Sequence, residues 1–324
     1  MPVRRLDDPF FAIDEPRAEG LLAVGDGHCI HWSDSGAADG AAWIEVHGGP
    51  GSGANPAYRG LIDGRRCRII QFDQRGCGAS TPAGELVANS LEHTIADMEA
   101  LRDHLRVEHW IVGGASWGST VALAYAEAHP ERCMGVKVSG VWLARPRDVA
   151  WWYRGVREIF PELWEAYAAP IPEAERSELR RAYHARIMSA DPAVSAPAAI
   201  DQFLYEDGFM RFEPTSTPPT PDRGLAYSRI FAHYAINDFW LRPNQLIEDA
   251  PRLAGVPVSL TTGRYDMCAT PVQAWDMARA LEPARVRLQI AGGAGHNPFE
   301  PAMARAIALE TTAFLDWLDR EGRL

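Results

Sequence analysis

The stretch Trp110-Ile111-Val112-Gly113-Gly114-Ala115-Ser116-Trp117-Gly118-Ser119-Thr120 decides how the chain is read. Trp110–Gly113 is a short apolar run of strand character, and a helical pattern follows from Ser119 to Ala128. Gly114-Ala115-Ser116-Trp117-Gly118 between them is a G-x-S-x-G pentapeptide in the strand–turn–helix setting of a nucleophile elbow. Such a turn is strained. Glycines two positions either side of the serine relieve backbone crowding and let the hydroxyl project outward. The pentapeptide also occurs as a plain Ser/Gly turn, so its neighbours must decide.

Outward from this point, short β-branched runs alternate with helical patterns, the sign of βαβ units and a mainly parallel sheet. Strands are expected at Ala42–His47, Arg68–Phe72, Trp110–Gly113, Val136–Val141, Val258–Thr262 and Arg287–Ile290. Helices are expected at Ser90–Leu105, Ser119–Ala128, Pro271–Leu281 and Pro301–Trp317. From about residue 144 to 250 the rhythm breaks into helical patterns divided by proline. Trp142, Trp151, Trp152 and Trp164 mark its entrance, and the Pro-rich Glu213–Pro221 must be loop. The reading is an α/β fold with residues 1–143 and 251–324 as core and 144–250 as an inserted helical cap.

A serine hydroxyl needs a base, and the base needs an orienting carboxylate, which in this type of sheet follow in the order Ser, acid, His. Asp266 lies in Gly263-Arg264-Tyr265-Asp266, just past Val258–Thr262. His296 lies in Ala294-Gly295-His296-Asn297-Pro298, past the last strand. Both fall in loops at the carboxyl edge of the sheet, as Ser116 does, where open α/β sheets bind ligands. His47-Gly48-Gly49-Pro50-Gly51 after Ala42–Val46 matches an oxyanion-loop pattern. Gly49 and Trp117 are the expected N–H donors, with Gly48 on the substrate side and His47 structural. Asp73-Gln74-Arg75-Gly76-Cys77-Gly78 reads as support for these loops, and Cys268 as a buried neighbour of Asp266.

Composition excludes several other classes. With 324 residues, 47% apolar and 23% charged, the chain is ordinary globular protein, not disordered or collagen-like. A net charge of −11, with Arg4-Arg5 and Arg180-Arg181 only as isolated pairs, gives no attraction for nucleic acid. Five dispersed cysteines without a CxxC pair suit neither a disulfide framework nor structural zinc. No run approaches the ~18 apolar residues of a membrane span, so a reduced, cytoplasmic, soluble protein is expected.

The motifs HGGPGSG at His47–Gly53, DQRGCGAS at Asp73–Ser80, SWGST at Ser116–Thr120, GRYDMC at Gly263–Cys268 and AGHNPFEP at Ala294–Pro301 together resemble the proline iminopeptidase (prolyl aminopeptidase) family. The resemblance implies the α/β-hydrolase fold, Ser116 as nucleophile, His296 as base, Asp266 as orienter, a helical cap, and no metal or cofactor. In that family cap glutamates bind the substrate's free α-amino group. The segment Phe203-Leu204-Tyr205-Glu206 resembles the one that supplies one of them, which maps onto Glu206. In Ser228–Tyr234, which resembles another, Phe231 stands where the family has Glu, and Ala115 replaces a glycine before the nucleophile.

Tyr227, Phe231 and Tyr234 share one helix face. They form either core of the cap or an apolar wall for a bulky substrate group. The resemblance implies a serine aminopeptidase or amidase releasing an N-terminal aminoacyl group (Pro, Ala or similarly small) from a peptide or larger apolar amide, such as an aminoacylated natural-product intermediate. Its partner would be a substrate with a free N-terminal amine. The alternative keeps the same three residues in an esterase or lactonase whose substrate has no free amine. A third reading, a ligand-binding protein without catalysis, is always open to a fold, and the intact Ser, Asp and His set argues against it.

Overall fold

The computed structural model describes residues 10–213 and 220–324, at 221–223 through the backbone alone. Arg4-Arg5 and residues 214–219 of the Pro-rich stretch lie outside the described residues. The strands are β1 (Ala18–Gly25), β2 (His28–Gly36), β3 (Ala41–Val46), β4 (Cys67–Phe72), β5 (Trp110–Ala115), β6 (Cys133–Ser139), β7 (Val258–Gly263) and β8 (Val286–Ala291). They form one sheet in the order β1-β2-β4-β3-β5-β6-β7-β8. Every pairing from β4 to β8 is parallel, while β1–β2 and β2–β4 are antiparallel. The six expected strands appear, with no end moved by more than three residues. The β1–β2 hairpin was not expected.

The helices are α1 (Leu91–His104), α2 (Trp117–Ala128), α3 (Pro146–Tyr153), α4 (Pro161–Ala168), α5 (Leu179–Ile187), α6 (Pro192–Met210), α7 (Pro221–Ile236), α8 (Gln245–Glu248), α9 (Pro271–Ala280) and α10 (Pro301–Arg320). Proline opens many of them, at the first turn where a missing N–H costs nothing. The described residues between β6 and β7 contain helices and no strand.

The period-two alternation of the strands sorts side chains onto two faces. Trp43, Ile69 and Ile111 meet α10, whose Phe314, Leu315 and Leu318 recur at helical spacing. Ile44, Ile70, Phe72 and Val112 join the other core with residues of α1 and α2. Covered on both faces, β5 and β7 are buried along their whole length. Burying a ring such as Phe314 contributes about 1.5–3 kcal/mol. Packing there is close: a Cβ on Gly135 would sit 2.6 Å from the Phe314 ring. The rigid sheet brings the ends of β3, β5, β6, β7 and β8 to one rim, and the candidate residues sit on that rim.

Candidate active site

Buried β5 delivers Ser116 at φ 58°, ψ −127°, a conformation costly for any residue but glycine, and the chain turns at once into α2. The helix begins at Trp117, two residues before the expected Ser119. The flanking glycines have a steric reason. A Cβ on Gly114 would lie 2.3 Å from the Gly118 carbonyl oxygen, and one on Gly118 would lie 2.1 Å from that of Val46. The turn is fixed to β6 by the Ser116 N–H, which donates to the Ser139 carbonyl at 3.1 Å. Ser116 is half-buried, while its neighbours on both sides are buried.

The loop after β3 lies against this turn. A Cβ on Gly48 would be 3.3 Å from the Ser116 Cβ and 3.8 Å from its Oγ, so only a bare backbone approaches the hydroxyl so closely. Gly49 follows at φ +114°. The Trp117 N–H is the first of α2 and by position has no partner within the helix.

His47 is locked as scaffold. Its Nε2 accepts the Gln74 N–H at 3.0 Å, so Nδ1 carries the hydrogen and donates to the Gly48 carbonyl at 2.8 Å. Burial pushes its pKa down, which keeps the ring neutral. Gln74 ties three parts together: its Nε2 donates to the His47 carbonyl at 2.9 Å, and its Oε1 accepts from Trp117 Nε1 at 3.0 Å. Asp73 accepts the Ala54 and Ala79 N–H groups at 2.6 and 2.9 Å. The sequence named this loop as support without finding Gln74's individual role, which depends on contacts 27 and 43 residues away.

Asp266 follows β7 and is wholly buried. Its Oδ1 accepts the Cys268 and Ala269 N–H groups at 3.0 and 2.7 Å, and its Oδ2 lies 2.8 Å from His296 Nδ1. A carboxylate partner makes Nδ1 the protonated nitrogen and leaves Nε2 able to accept a proton. The loops carrying the pair interlock: a Cβ on Gly263 would be 2.2 Å from the Gly295 carbonyl oxygen.

The imidazole lies over Gly140, whose Cβ would be 3.2 Å from His296 Cε1. Gly140 has φ +51° and directly follows Ser139, the residue holding the Ser116 N–H. The ring thus sits at the end of β6, beside the strand that carries Ser116. The Ser116 hydroxyl makes no hydrogen bond to the ring, whose Nδ1 is held by Asp266. Such bonds often tighten only with substrate bound. Gly140 was not picked out in the sequence, where it fell inside the expected strand Val136–Val141; the strand ends at Ser139 instead.

Burial opposes charge on His296, but the adjacent Asp266 carboxylate and Cys268 beside the ring together outweigh it and hold the imidazole pKa well above its ordinary value. Burial pushes the neighbouring Cys268 thiol up, so it stays protonated.

The family model for the alpha/beta hydrolase fold matches residues 44–302. A proline iminopeptidase of Xylella fastidiosa is 38% identical over 306 residues, covering 93% of this chain and 97% of that protein. One from Neisseria gonorrhoeae is 37% identical over 300 residues, covering 92% and 96%. The chain belongs to the proline iminopeptidase family. It is therefore a serine hydrolase with the α/β-hydrolase fold. The crystal structure of a proline iminopeptidase from Mycobacterium smegmatis superposes with a TM-score of 0.60, covering 94% of this chain and all of that one. At 19% identity that likeness speaks for the fold alone.

In this family member Glu206 projects from α6 and is buried. Its Oε2 accepts the Tyr227 hydroxyl at 2.6 Å. Burial raises its pKa to about 7, against the lowering effects of the Tyr227 hydrogen bond and of His296. Phe231 is buried one turn beyond Tyr227, its ring 5.3 Å from Trp152 and 6.3 Å from Tyr227. Tyr234 turns elsewhere, toward Trp117 at 5.2 Å and Trp240 at 5.0 Å. The aromatic stripe nonetheless belongs to one cluster, in which Phe239 bridges Phe231 at 6.4 Å and Trp117 at 5.7 Å. Past α6, the Phe212 N–H donates to Glu300 Oε1 at 3.1 Å, and the Phe212 ring faces Gly295 beside His296.

Proposed function

We propose that the chain hydrolyses an N-terminal aminoacyl amide through an acyl-enzyme on Ser116. The substrate would be a peptide, or a larger apolar amide such as an aminoacylated natural-product intermediate, with Pro, Ala or a similarly small first residue. In this reading residues 144–250 are a cap over a core of 1–143 and 251–324. The observation that carries it is the 2.8 Å Asp266–His296 contact at the strand ends beside Ser116.

Ser116 Oγ attacks the carbonyl carbon while His296 Nε2 takes its proton. The new oxyanion rests on the Gly49 and Trp117 N–H groups, and Gly48 leaves room beside the nucleophile. The imidazolium is stabilised by Asp266 and gives its proton to the leaving amine as the C–N bond breaks. Water, deprotonated by the same imidazole, then cleaves the acyl ester and restores the serine. Glu206 receives the substrate ammonium, a buried charge that requires a counter-charge once desolvated.

A second reading, an esterase or lactonase acting on a substrate without a free amine, is favoured by the apolar packing of Phe231 against Trp152. Aminoacyl p-nitroanilides compared with their N-acetylated forms separate the two. The aminopeptidase reading expects N-acetylation to abolish turnover and Glu206→Gln to raise KM sharply. Equal rates on both substrate forms would transfer the case to the esterase.

A further inference from the structure

We propose that Tyr227 is a specificity-determining residue: its hydroxyl holds one oxygen of Glu206 and turns the other toward the substrate ammonium, registering the amine site on the oxyanion loop. The inference rests on Glu206 as the amine acceptor and goes beyond it by assigning what aims that carboxylate.

Two contacts carry the argument. The first is the 2.6 Å hydrogen bond from the Tyr227 hydroxyl to Glu206 Oε2, a short charge-assisted bond between α7 and α6. It leaves Glu206 Oε1 for the ligand. The second is backbone contact with the oxyanion loop. Gly51 adopts φ +108°, and a Cβ there would be 2.8 Å from the Tyr227 carbonyl oxygen and 3.2 Å from its Cα. One residue therefore touches both the group that binds the amine and the loop that binds the developing oxyanion. The distance between amine and scissile carbonyl distinguishes an α-amino acyl group from other cations, and this contact sets it.

The surroundings of Glu206 leave Tyr227 with a distinct task. The ionisable groups facing Glu206 are Tyr153 from α3, Tyr167 from α4, Tyr227 from α7, Cys268 past β7, His296 past β8 and Asp207 on its own helix. Among these, His296 alone acquires positive charge, and it is the base of the reaction. Burial opposes ionisation of Glu206, and the Tyr227 hydrogen bond favours it. The site takes a monocationic amine on one carboxylate and one phenol, against the aromatic wall of Phe231 and Trp152.

The test is the pH dependence of KM for proline p-nitroanilide in wild type, Tyr227→Phe, Glu206→Gln and the double variant, between pH 5.5 and 9. In wild type, 1/KM rises with pH as Glu206 ionises and falls as the substrate amine deprotonates. Tyr227→Phe keeps the ring stack and is expected to move the rising limb up by roughly one to two pH units, raising KM about tenfold at pH 7. Its kcat changes far less. A purely structural role would raise KM evenly at all pH values. In Glu206→Gln the rising limb disappears, and adding Tyr227→Phe shifts nothing further. If Glu206→Gln removes the limb while Tyr227→Phe leaves it in place, the Tyr227 assignment is overturned. If Glu206→Gln changes neither KM nor the limb, the amine-site reading itself fails.

Discussion

Replacing Gly140 by alanine tests the active-site geometry through one methyl group. Gly140 has φ +51°, so any side chain there pays for left-handed backbone, about 1–2 kcal/mol. Its Cβ would also stand 3.2 Å from His296 Cε1, 3.3 Å from Nδ1 and 3.7 Å from Asp266 Oδ2. The first two distances are shorter than ordinary contact, so the imidazole must retreat a few tenths of an ångström. It is held by a 2.8 Å bond to a wholly buried carboxylate, so any retreat strains that bond and re-aims Nε2.

A 1 Å misplacement costs about 10²-fold in rate, so a shift of this size is expected to lower kcat about tenfold. Gly255→Ala is the matched control. That glycine has φ +81° and nothing within 4 Å of the added methyl. Both variants should lose about 1–2 kcal/mol in urea unfolding, and only Gly140→Ala should lose kcat on an aminoacyl p-nitroanilide. If kcat for Gly140→Ala stays within about twofold of the control, the imidazole is not where this account puts it.

Two further outcomes follow from the same framework. Gln74→Ala removes the acceptor of the buried Trp117 Nε1 and the donor to the His47 carbonyl, costing about 1–3 kcal/mol in urea melts. Steady-state kinetics should show kcat falling more than KM rises, because the loop after β3, the proposed oxyanion loop, and α2 lose their shared tie. The third concerns pH. With His296 as the proposed base, the reaction needs its neutral form, so activity is expected to be lost as pH falls through its pKa. Because Asp266 holds that pKa up against burial, the acid limb of kcat should lie above pH 6.5 and move down in Asp266→Asn. A wild-type limb below pH 6 would contradict the assignment.

The parts of the fold that were legible in the sequence share a physical cause. β5, covered on both faces, reads as an unbroken run without a polar side chain, and β7 as Val258 and Leu260 among small Ser259, Thr261 and Thr262. Each leads into a glycine-containing turn that marks the place of Ser116 or Asp266. The β1–β2 hairpin was missed because its evidence is non-local. β2 carries Asp34 and Ser35, poor strand residues, and Asp34 is matched by Arg17 and by Arg68 of β4. The turn Asp26-Gly27, both at positive φ, was the local sign available. At the site, the order of Ser116, Asp266 and His296 along the chain was readable because each follows a strand. Gln74, Gly140 and Tyr227 were not, because their contacts join segments whose proximity only the folded sheet and its helices create. Phe231 could not be assigned to core or wall from spacing, because its neighbour Trp152 lies 79 positions away in sequence.

The most direct test of the central claim is covalent capture of the nucleophile. Wild-type protein treated with a fluorophosphonate, digested and mapped by mass spectrometry should carry one adduct, on Ser116. Its rate of formation should fall by orders of magnitude in His296→Ala while the fold is retained. A folded, hydrolytically active protein that carries the adduct on another residue, or that labels Ser116 equally fast without His296, would contradict the account.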